Sequence, residues 1–135
     1  MISTRLKNIF ILSVPVFIAH GLEEYFAGFY AVDSHVDFMF RYFYTLPTPQ
    51  AIFLLFQIML WVTLIIAALL ISGEKWQLRL LVIPGLVYIY ELHHFLKALV
   101  VGGYYPGLVT AVAFPIIGVL FWKELIKEVK TSKTA

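Results

Sequence analysis

The chain has 135 residues and a formal net charge of +2; 61% of its residues are hydrophobic and 13% are charged, against about 25% charged in soluble domains. This balance excludes an ordinary soluble domain and predicts an integral membrane protein with a single transmembrane domain over residues 1–135. Cysteine is absent, which excludes disulfides, thiolate metal ligands and a cysteine nucleophile.

The first predicted transmembrane span covers residues 8–29. A spanning helix needs about 20 mostly apolar residues, and this segment supplies them around Pro15. Arg5 and Lys7 precede the span as they would precede the apolar part of a secretory signal. No small-x-small cleavage site follows, so we expect a retained span. Its second half contains three polar side chains, His20, Glu23 and Glu24.

Residues 31–50 connect the first span to the second and combine charged with aromatic side chains, which is typical of the membrane interface. Ser34 and Asp37 have the spacing of a capping box, with Asp in the position usually taken by Glu. Asp33, His35 and Asp37 alternate as metal ligands on an extended segment would, but helix capping explains them better. We therefore expect a short interfacial helix after the first span.

Three more spans are predicted, at residues 51–71, 78–101 and 104–122. The second span is almost wholly apolar, with Gln57 and Thr63 as its only polar side chains. The third span has four polar residues in its second half, namely Glu91, His93, His94 and Lys97. The predicted fold class is therefore all-α, a polytopic membrane bundle of about four transmembrane helices.

The cationic residues are distributed unequally between the two sides of this bundle. With four spans, both termini and the turn around Glu74 share one side, which has eight of the ten Lys and Arg residues. Because cytoplasmic segments carry the excess of Lys and Arg, we expect both termini in the cytoplasm. These residues favour anionic membrane lipids as partners, and they do not indicate nucleic acid.

The polar residues of the first and third spans are predicted to lie at the same depth. His20 and Glu91 each lie roughly 18 Å beyond the start of their span. Each begins a set of polar residues spaced by three or four, which therefore share a helix face. In a hydrocarbon core about 30 Å thick, the two sets meet just beyond the midplane. We expect a polar site between spans one and three.

The carboxylates of this site need neutralisation, because an ionised carboxylate at the bilayer centre costs about 2.5–3.5 kcal/mol. Protons, cationic imidazoles or a divalent cation could provide it. Imidazole and carboxylate without thiolate suit zinc, iron or manganese, and Glu91 and His94 have the Glu-x-x-His spacing of di-iron bundles. The predicted metal ligands are His20, Glu24, Glu91 and His94.

The expected function is a membrane-embedded metal-dependent enzyme, with hydrolysis of a lipid or other apolar substrate as the expected reaction and Glu23 or Glu24 as general base. Two alternatives use the same residues without a metal. One is a small transporter or proton-handling protein, and the other is a structural or accessory subunit whose polar residues hold helices together. Further residues predicted to support the site are His93, Lys97, Tyr104 and Thr110.

Two sequence blocks occur in order along the chain. His20 to Glu24 reads H-x-x-E-E, and His94 is followed by an aromatic-x-Pro-Gly sequence, which begins at Tyr104, and then by Thr110. These blocks resemble those of the HXXEE-domain family of small bacterial and archaeal membrane proteins, and the resemblance extends from the first span to the fourth. It implies a catalytic site in the membrane formed by His20, Glu23, Glu24 and His94.

Overall fold

The computed structural model describes residues 2–134, and this part of the chain contains nine helices and no strand. The predicted all-α fold class is confirmed, while Met1 and Ala135, the two ends of the predicted domain, lie outside the described residues. The helices are α1 (Thr4–Phe26), α2 (Phe29–Val32), α3 (Ser34–Tyr44), α4 (Thr48–Ile71), α5 (Glu74–Leu80), α6 (Val82–Tyr90), α7 (His93–Val101), α8 (Leu108–Ala111) and α9 (Ala113–Thr134).

Three segments of the described chain are long and apolar enough to cross a membrane: Thr4–Phe26, Thr48–Leu70 and Leu108–Thr131. The second of these lies in α4, and its most apolar stretch has no buried residue. A helix that is apolar all round and is not buried in protein fits contact with lipid. The chain therefore has the helices of a membrane protein, and the cytoplasmic location of both termini stays a prediction.

The predicted third span, residues 78–101, is divided into α5, α6 and α7 instead of forming one long helix. Pro84 accounts for the first division, because a proline ring clashes with the carbonyl four residues earlier. That residue is Leu80, the last residue of α5. Pro115 has the same relation to Ala111, the last residue of α8. A fourth membrane crossing through α5 to α7 therefore stays a prediction.

The division between α6 and α7 lies within the polar turn of this segment. The His94 N–H donates to the Glu91 carbonyl at 3.3 Å, and the Phe95 N–H donates to the Leu92 carbonyl at 3.2 Å. Bonds to the third preceding residue indicate a local 3₁₀ turn, in which side chains i and i+3 lie directly one above the other. Glu91 and His94 therefore project in the same direction.

The buried core lies where α1 and α6 pack against α9. Its members are aromatic and aliphatic side chains, namely Leu6, Tyr88, Ala111, Phe114, Phe121 and Leu125. The hydroxyl groups of Ser13 and Tyr88 are hydrogen-bonded at 2.7 Å and join α1 to α6. Trp122 Nε1 donates to the Gly85 carbonyl at 2.9 Å and joins α9 to α6. This packing holds the polar ends of the first and third predicted spans side by side.

The helix predicted after the first span is present as α3, and Asp33, one of the residues assigned to helix capping, caps it. The chain leaves α1 through a turn at Gly28, which has a φ of 73°. Asp33 Oδ1 then accepts hydrogen bonds from the N–H groups of His35 at 2.8 Å and Val36 at 3.2 Å. Asp33 is thus the N-cap, which confirms its assignment to helix capping, and the capping box predicted from the spacing of Ser34 and Asp37 is wrong by one residue. Both residue types cap helices well, so the spacing did not decide between them.

Candidate metal centre

Four side chains converge at the end of α1 and the junction of α6 with α7. His20 and Glu24 lie one turn apart on α1, while Glu91 and His94 lie three apart across the 3₁₀ turn. One possible ligand atom from each lies within 4.8 Å of those of the other three. We call these residues the four-ligand cluster. The fold therefore brings together the four residues that were predicted to bind a metal.

The shortest distances in the four-ligand cluster join imidazole nitrogens to carboxylate oxygens. His20 Nε2 lies 2.9 Å from Glu91 Oε2 and 3.6 Å from Glu24 Oε1. His94 Nε2 lies 3.2 Å from Glu91 Oε2 and 3.3 Å from Glu24 Oε1. Ligand atoms about 2.0–2.2 Å from a tetrahedral ion lie about 3.3–3.6 Å from one another. Two of the four distances lie in this range and a third, 3.2 Å, lies 0.1 Å below it, while the 2.9 Å distance from His20 to Glu91 is that of a hydrogen bond. The donor set and most of its spacing therefore suit a single ion such as zinc.

His94 is fully enclosed, and its two ring nitrogens have different surroundings. Its side chain has 0% exposure, and within the described residues Nδ1 has no hydrogen-bond partner. Nε2 is paired with an oxygen of Glu24 at 3.3 Å and an oxygen of Glu91 at 3.2 Å. Either a proton on Nε2 or a cation between the ring and the two carboxylates satisfies this arrangement.

Glu24 marks the open side of the four-ligand cluster. Its side chain is 24% exposed, whereas those of His20, Glu91 and His94 are 4%, 10% and 0% exposed. A divalent ion, two protonated imidazoles or protons on the carboxyl groups would each neutralise the two carboxylates. The cluster is thus enclosed by three of its members and accessible beside the fourth.

Glu23, the other carboxylate of the H-x-x-E-E block, faces a different helix. It accepts hydrogen bonds from the N–H groups of Val109 at 3.0 Å and Thr110 at 2.8 Å, and from the Tyr104 hydroxyl at 2.9 Å. The Thr110 hydroxyl also donates to Glu23 and lies 2.8 Å from His20 Nδ1. The fold therefore connects the predicted supporting residues Tyr104 and Thr110 to Glu23.

Gly107, in the loop between α7 and α8, packs directly against two histidines of the cluster. Its φ is 89°, in the left-handed region that favours glycine. A Cβ atom at this position would lie 2.5 Å from His94 Cε1 and 2.8 Å from His20 Cε1. Only glycine allows the loop to form this wall of the four-ligand cluster, which gives the Pro-Gly sequence a structural reason.

A second group of polar residues lies between the start of α3, α7 and the loop after α7. The Tyr105 hydroxyl donates to Asp33 Oδ2 at 2.7 Å. Lys97 Nζ and His93 Nε2 lie 3.7 Å and 4.0 Å from the same oxygen. The predicted supporting residues His93 and Lys97 thus lie beside Asp33. We call this group the Asp33 cluster (Asp33, His35, His93, Lys97 and Tyr105).

The Asp33 carboxylate is fully buried and fully engaged. Burial acts to raise its pKa, but hydrogen bonds from Tyr105, His35 and Val36, together with the charge of Lys97, outweigh burial and hold the pKa below its usual value. The sequence indicated Asp33 as a capping residue only. Asp33 also links α3 to Tyr105, 72 residues away. The spacing of residues in the sequence did not predict this contact.

The comparisons with known proteins identify a family for the chain. A family model described as "Protein of unknown function with HXXEE motif" matches residues 11–121. No curated protein and no solved structure matches the chain. The matched range includes the whole four-ligand cluster, Glu23, Gly107 and Thr110. The chain therefore belongs to the HXXEE family.

Proposed function

We propose that this protein is a membrane-embedded metal-dependent hydrolase that acts on a lipid or another apolar substrate. The observation that carries the proposal is the four-ligand cluster, in which two imidazoles and two carboxylates converge within 4.8 Å. Zinc, iron and manganese accept this set of ligands. Nε2 of the buried His94 faces an oxygen of Glu24 and an oxygen of Glu91 at once, which is the position that a shared ion would occupy.

His20, Glu91 and His94 would hold the ion, because they are the three enclosed members of the cluster. Three protein ligands and one open position are the usual arrangement of a catalytic zinc site. The bound ion would supply Lewis-acid chemistry to water and to a substrate oxygen. Glu24 would lie beside the open position, since it is the partly exposed member.

Glu24 would act as the general base of the reaction. Its carboxylate accepts a proton from water while the water oxygen bonds to the acyl carbon of the substrate. The bond from that carbon to the leaving oxygen or nitrogen then breaks, and the leaving atom receives the proton from Glu24. One water molecule is consumed, and no other reactant is needed. Glu23 is the less suitable base because four donors already engage its oxygens.

An apolar substrate is supported by the surface of α1 next to Glu24. Leu22, Tyr25 and Phe26 are 51%, 67% and 80% exposed, and in a membrane such side chains contact lipid and its headgroup region. A substrate that diffuses within the bilayer would reach the open side of the cluster without leaving the membrane. The outer half of the bilayer is the predicted side of entry.

Metal content tests the first part of this proposal. Inductively coupled plasma mass spectrometry on detergent-purified protein, prepared without chelators, is expected to find stoichiometric zinc, iron or manganese in the wild type. The His20→Ala/His94→Ala variant is expected to lose the metal. His35→Ala is a matched control, because its side chain is 56% exposed and lies outside the cluster. Absence of metal from the wild type would overturn the proposal.

Hydrolysis tests the second part. The metal-loaded protein is incubated with ester- and amide-linked membrane lipids in mixed micelles, and free fatty acid is measured by mass spectrometry. Glu24→Gln is expected to keep most of the metal and to lose activity by about 10²–10⁴-fold, the usual contribution of a general base. Equal rates for the wild type and this variant would contradict the role of Glu24.

One observation favours a second candidate function, proton handling. Two protonated imidazoles would also neutralise the two carboxylates, and His20 Nε2 lies within hydrogen-bonding distance of Glu91 Oε2 at 2.9 Å. A protein of this kind would contain no metal, and His20→Ala would abolish proton flux in proteoliposomes. The structural alternative predicts instead that Glu24→Gln leaves a partner complex intact.

A further inference from the structure

His20 has a polar neighbour at each of its ring nitrogens. Nε2 faces the four-ligand cluster, and Nδ1 lies 2.8 Å from Thr110 Oγ1 on α8. Thr110 Oγ1 lies 2.5 Å from Glu23 Oε2. A continuous series of contacts therefore runs from Glu23 through Thr110 to His20 and ends at the cluster.

The direction of these hydrogen bonds follows from the protons that are available. A threonine hydroxyl has one proton to donate. The Glu23 carboxylate already accepts from the N–H groups of Val109 and Thr110 and from the Tyr104 hydroxyl, so it is the acceptor of the Thr110 hydroxyl as well. Nδ1 of His20 must then donate its own proton to Thr110. With its only proton on Nδ1, neutral His20 presents an unprotonated Nε2 to the cluster, and a cation between Nε2 and Glu91 Oε2 then takes the place of a proton in their 2.9 Å contact.

We propose that Glu23 and Thr110 are positioning residues that orient the His20 ring and keep its Nε2 free to bind the ion. This inference rests on the proposed function. Metal-binding histidines usually donate their second ring N–H to a carboxylate, a carbonyl or water, which fixes the tautomer and the ring orientation. Here the Thr110 hydroxyl joins the ring to the carboxylate of Glu23.

The two consecutive glutamates of the motif therefore have different tasks. Consecutive residues on a helix point about 100° apart, so Glu23 faces α8 while Glu24 faces His94 on α7. Glu23 also binds the backbone N–H of Thr110, which holds the hydroxyl in place for His20. The proposal assigns Glu23 to the support of a ligand and Glu24 to the reacting side of the cluster.

Zinc affinity in a matched pair of variants tests the inference. Thr110→Val replaces the hydroxyl by a methyl group of similar size, and Thr110→Ser keeps the hydroxyl. Zn²⁺ binding to metal-stripped protein in detergent is measured by competition with a chromophoric chelator. We expect Thr110→Val to bind Zn²⁺ about 10–100-fold more weakly, the usual effect of removing a partner of a ligating histidine. Thr110→Ser is expected to bind as tightly as the wild type.

The tautomer of His20 provides a readout that a merely structural role would not change. ¹⁵N–¹H spectra of the histidine side chains, assigned with His20→Ala, are recorded on metal-free protein, and the ¹⁵N shifts report which ring nitrogen bears the proton. We expect the proton on Nδ1 in the wild type and in Thr110→Ser. In Thr110→Val we expect it on Nε2, where Glu91 is the remaining acceptor. A proton that stays on Nδ1 in Thr110→Val would show the inference to be wrong.

The two readouts separate this inference from the proposed function. If the wild type binds no Zn²⁺, the proposed function fails, while the tautomer still decides whether Glu23 and Thr110 orient His20. If the wild type and Thr110→Val bind Zn²⁺ equally, the inference fails and the metal site remains. If circular dichroism shows that Thr110→Val does not fold, Glu23→Gln tests the same hydrogen bonds between Glu23, Thr110 and His20. This variant replaces one acceptor oxygen of Glu23 by a donor. Weaker Zn²⁺ binding supports the inference, and unchanged binding contradicts it.

Discussion

The four-ligand cluster and the Asp33 cluster contain similar residues in different arrangements. Each combines buried carboxylate with histidine. In the Asp33 cluster one carboxylate is surrounded by donors, namely the Tyr105 hydroxyl, two backbone N–H groups and the Lys97 side chain. In the four-ligand cluster two carboxylates face two imidazoles, and His94 Nε2 lies between oxygens of Glu24 and Glu91.

This difference teaches that residue types alone do not distinguish a structural ion pair from a candidate metal centre. The ratio of hydrogen-bond donors to acceptors distinguishes them, because a carboxylate that already has enough donors gains little from a further cation. Lys97 provides a fixed charge beside Asp33, and the four-ligand cluster contains no lysine or arginine. We expect the first cluster to stabilise the fold and the second to bind metal.

The largest expected effect separates the two clusters by metal affinity. Glu91→Gln keeps the side-chain shape and removes the charge of a ligand. We expect Zn²⁺ binding to weaken by more than about 100-fold, because changes to residues that only support a ligand already weaken metal binding by about 10–100-fold. Asp33→Asn is the matched change in the other cluster and is expected to leave Zn²⁺ binding unchanged. Competition with a chelator measures both. An equal loss in both variants would show that the clusters act as one site.

The next effect concerns the wall that Gly107 forms. Gly107→Ala would place a Cβ 2.5 Å from His94 Cε1 at a φ of 89°, so we expect a loss of about 2–4 kcal/mol in stability from crowding and backbone strain together. Thermal unfolding in detergent measures it. Gly103→Ala is the control, because a Cβ at that position meets nothing within 4 Å. Equal stability of the two variants would contradict the close packing of Gly107 against the histidines of the cluster.

A smaller effect is expected from the Asp33 cluster. Asp33→Asn turns a donor toward Tyr105 and Lys97 and leaves a buried bond unmade, which costs about 1–3 kcal/mol. Asp37→Asn, which breaks an exposed pair with Arg41 at 3.1 Å, should cost less than about 0.5 kcal/mol. Thermal unfolding of both variants tests this order. A larger loss for Asp37→Asn would contradict the structural role of Asp33.

The smallest effect is the pH dependence of the Asp33 contribution. Because the folded pKa of Asp33 lies below the unfolded value of about 3.9, its stabilisation is complete above that value and is lost as the pH falls through the folded pKa. The basic side chains that face Asp33 are Lys97, His35 and His93. The difference in thermal unfolding between the wild type and Asp33→Asn should therefore hold from pH 7 to about pH 5 and shrink below about pH 4. If the difference in thermal unfolding between the wild type and Asp33→Asn shrinks already between pH 7 and pH 5, the pH dependence belongs to a histidine and not to Asp33.

Much of the candidate centre could be predicted from the sequence, because helix geometry fixes local spacing. The i, i+4 relation of His20 and Glu24 and the i, i+3 relation of Glu91 and His94 each place two side chains on one face. The two pairs lie at equal distances from the starts of the first and third predicted spans, which predicted that they meet. The contact of His20 with Glu91 confirms this prediction. The divisions of the chain before Pro84 and Pro115 were missed, although proline chemistry could have indicated them.

By itself the sequence determined an all-α fold with helices apolar enough to span a membrane, the resemblance to the HXXEE family and two polar turns expected to meet, since apolar composition and helical periodicity are local properties. Only the tertiary structure decided which partner each of two adjacent polar residues contacts. Glu23 binds Thr110 while Glu24 joins the cluster, and His93 lies beside Asp33 while His94 lies within the cluster. Neighbours in sequence point about 100° apart on a helix, so the elements that pack on each side, α8, α3 and the loop at Gly107, determine what each side chain meets.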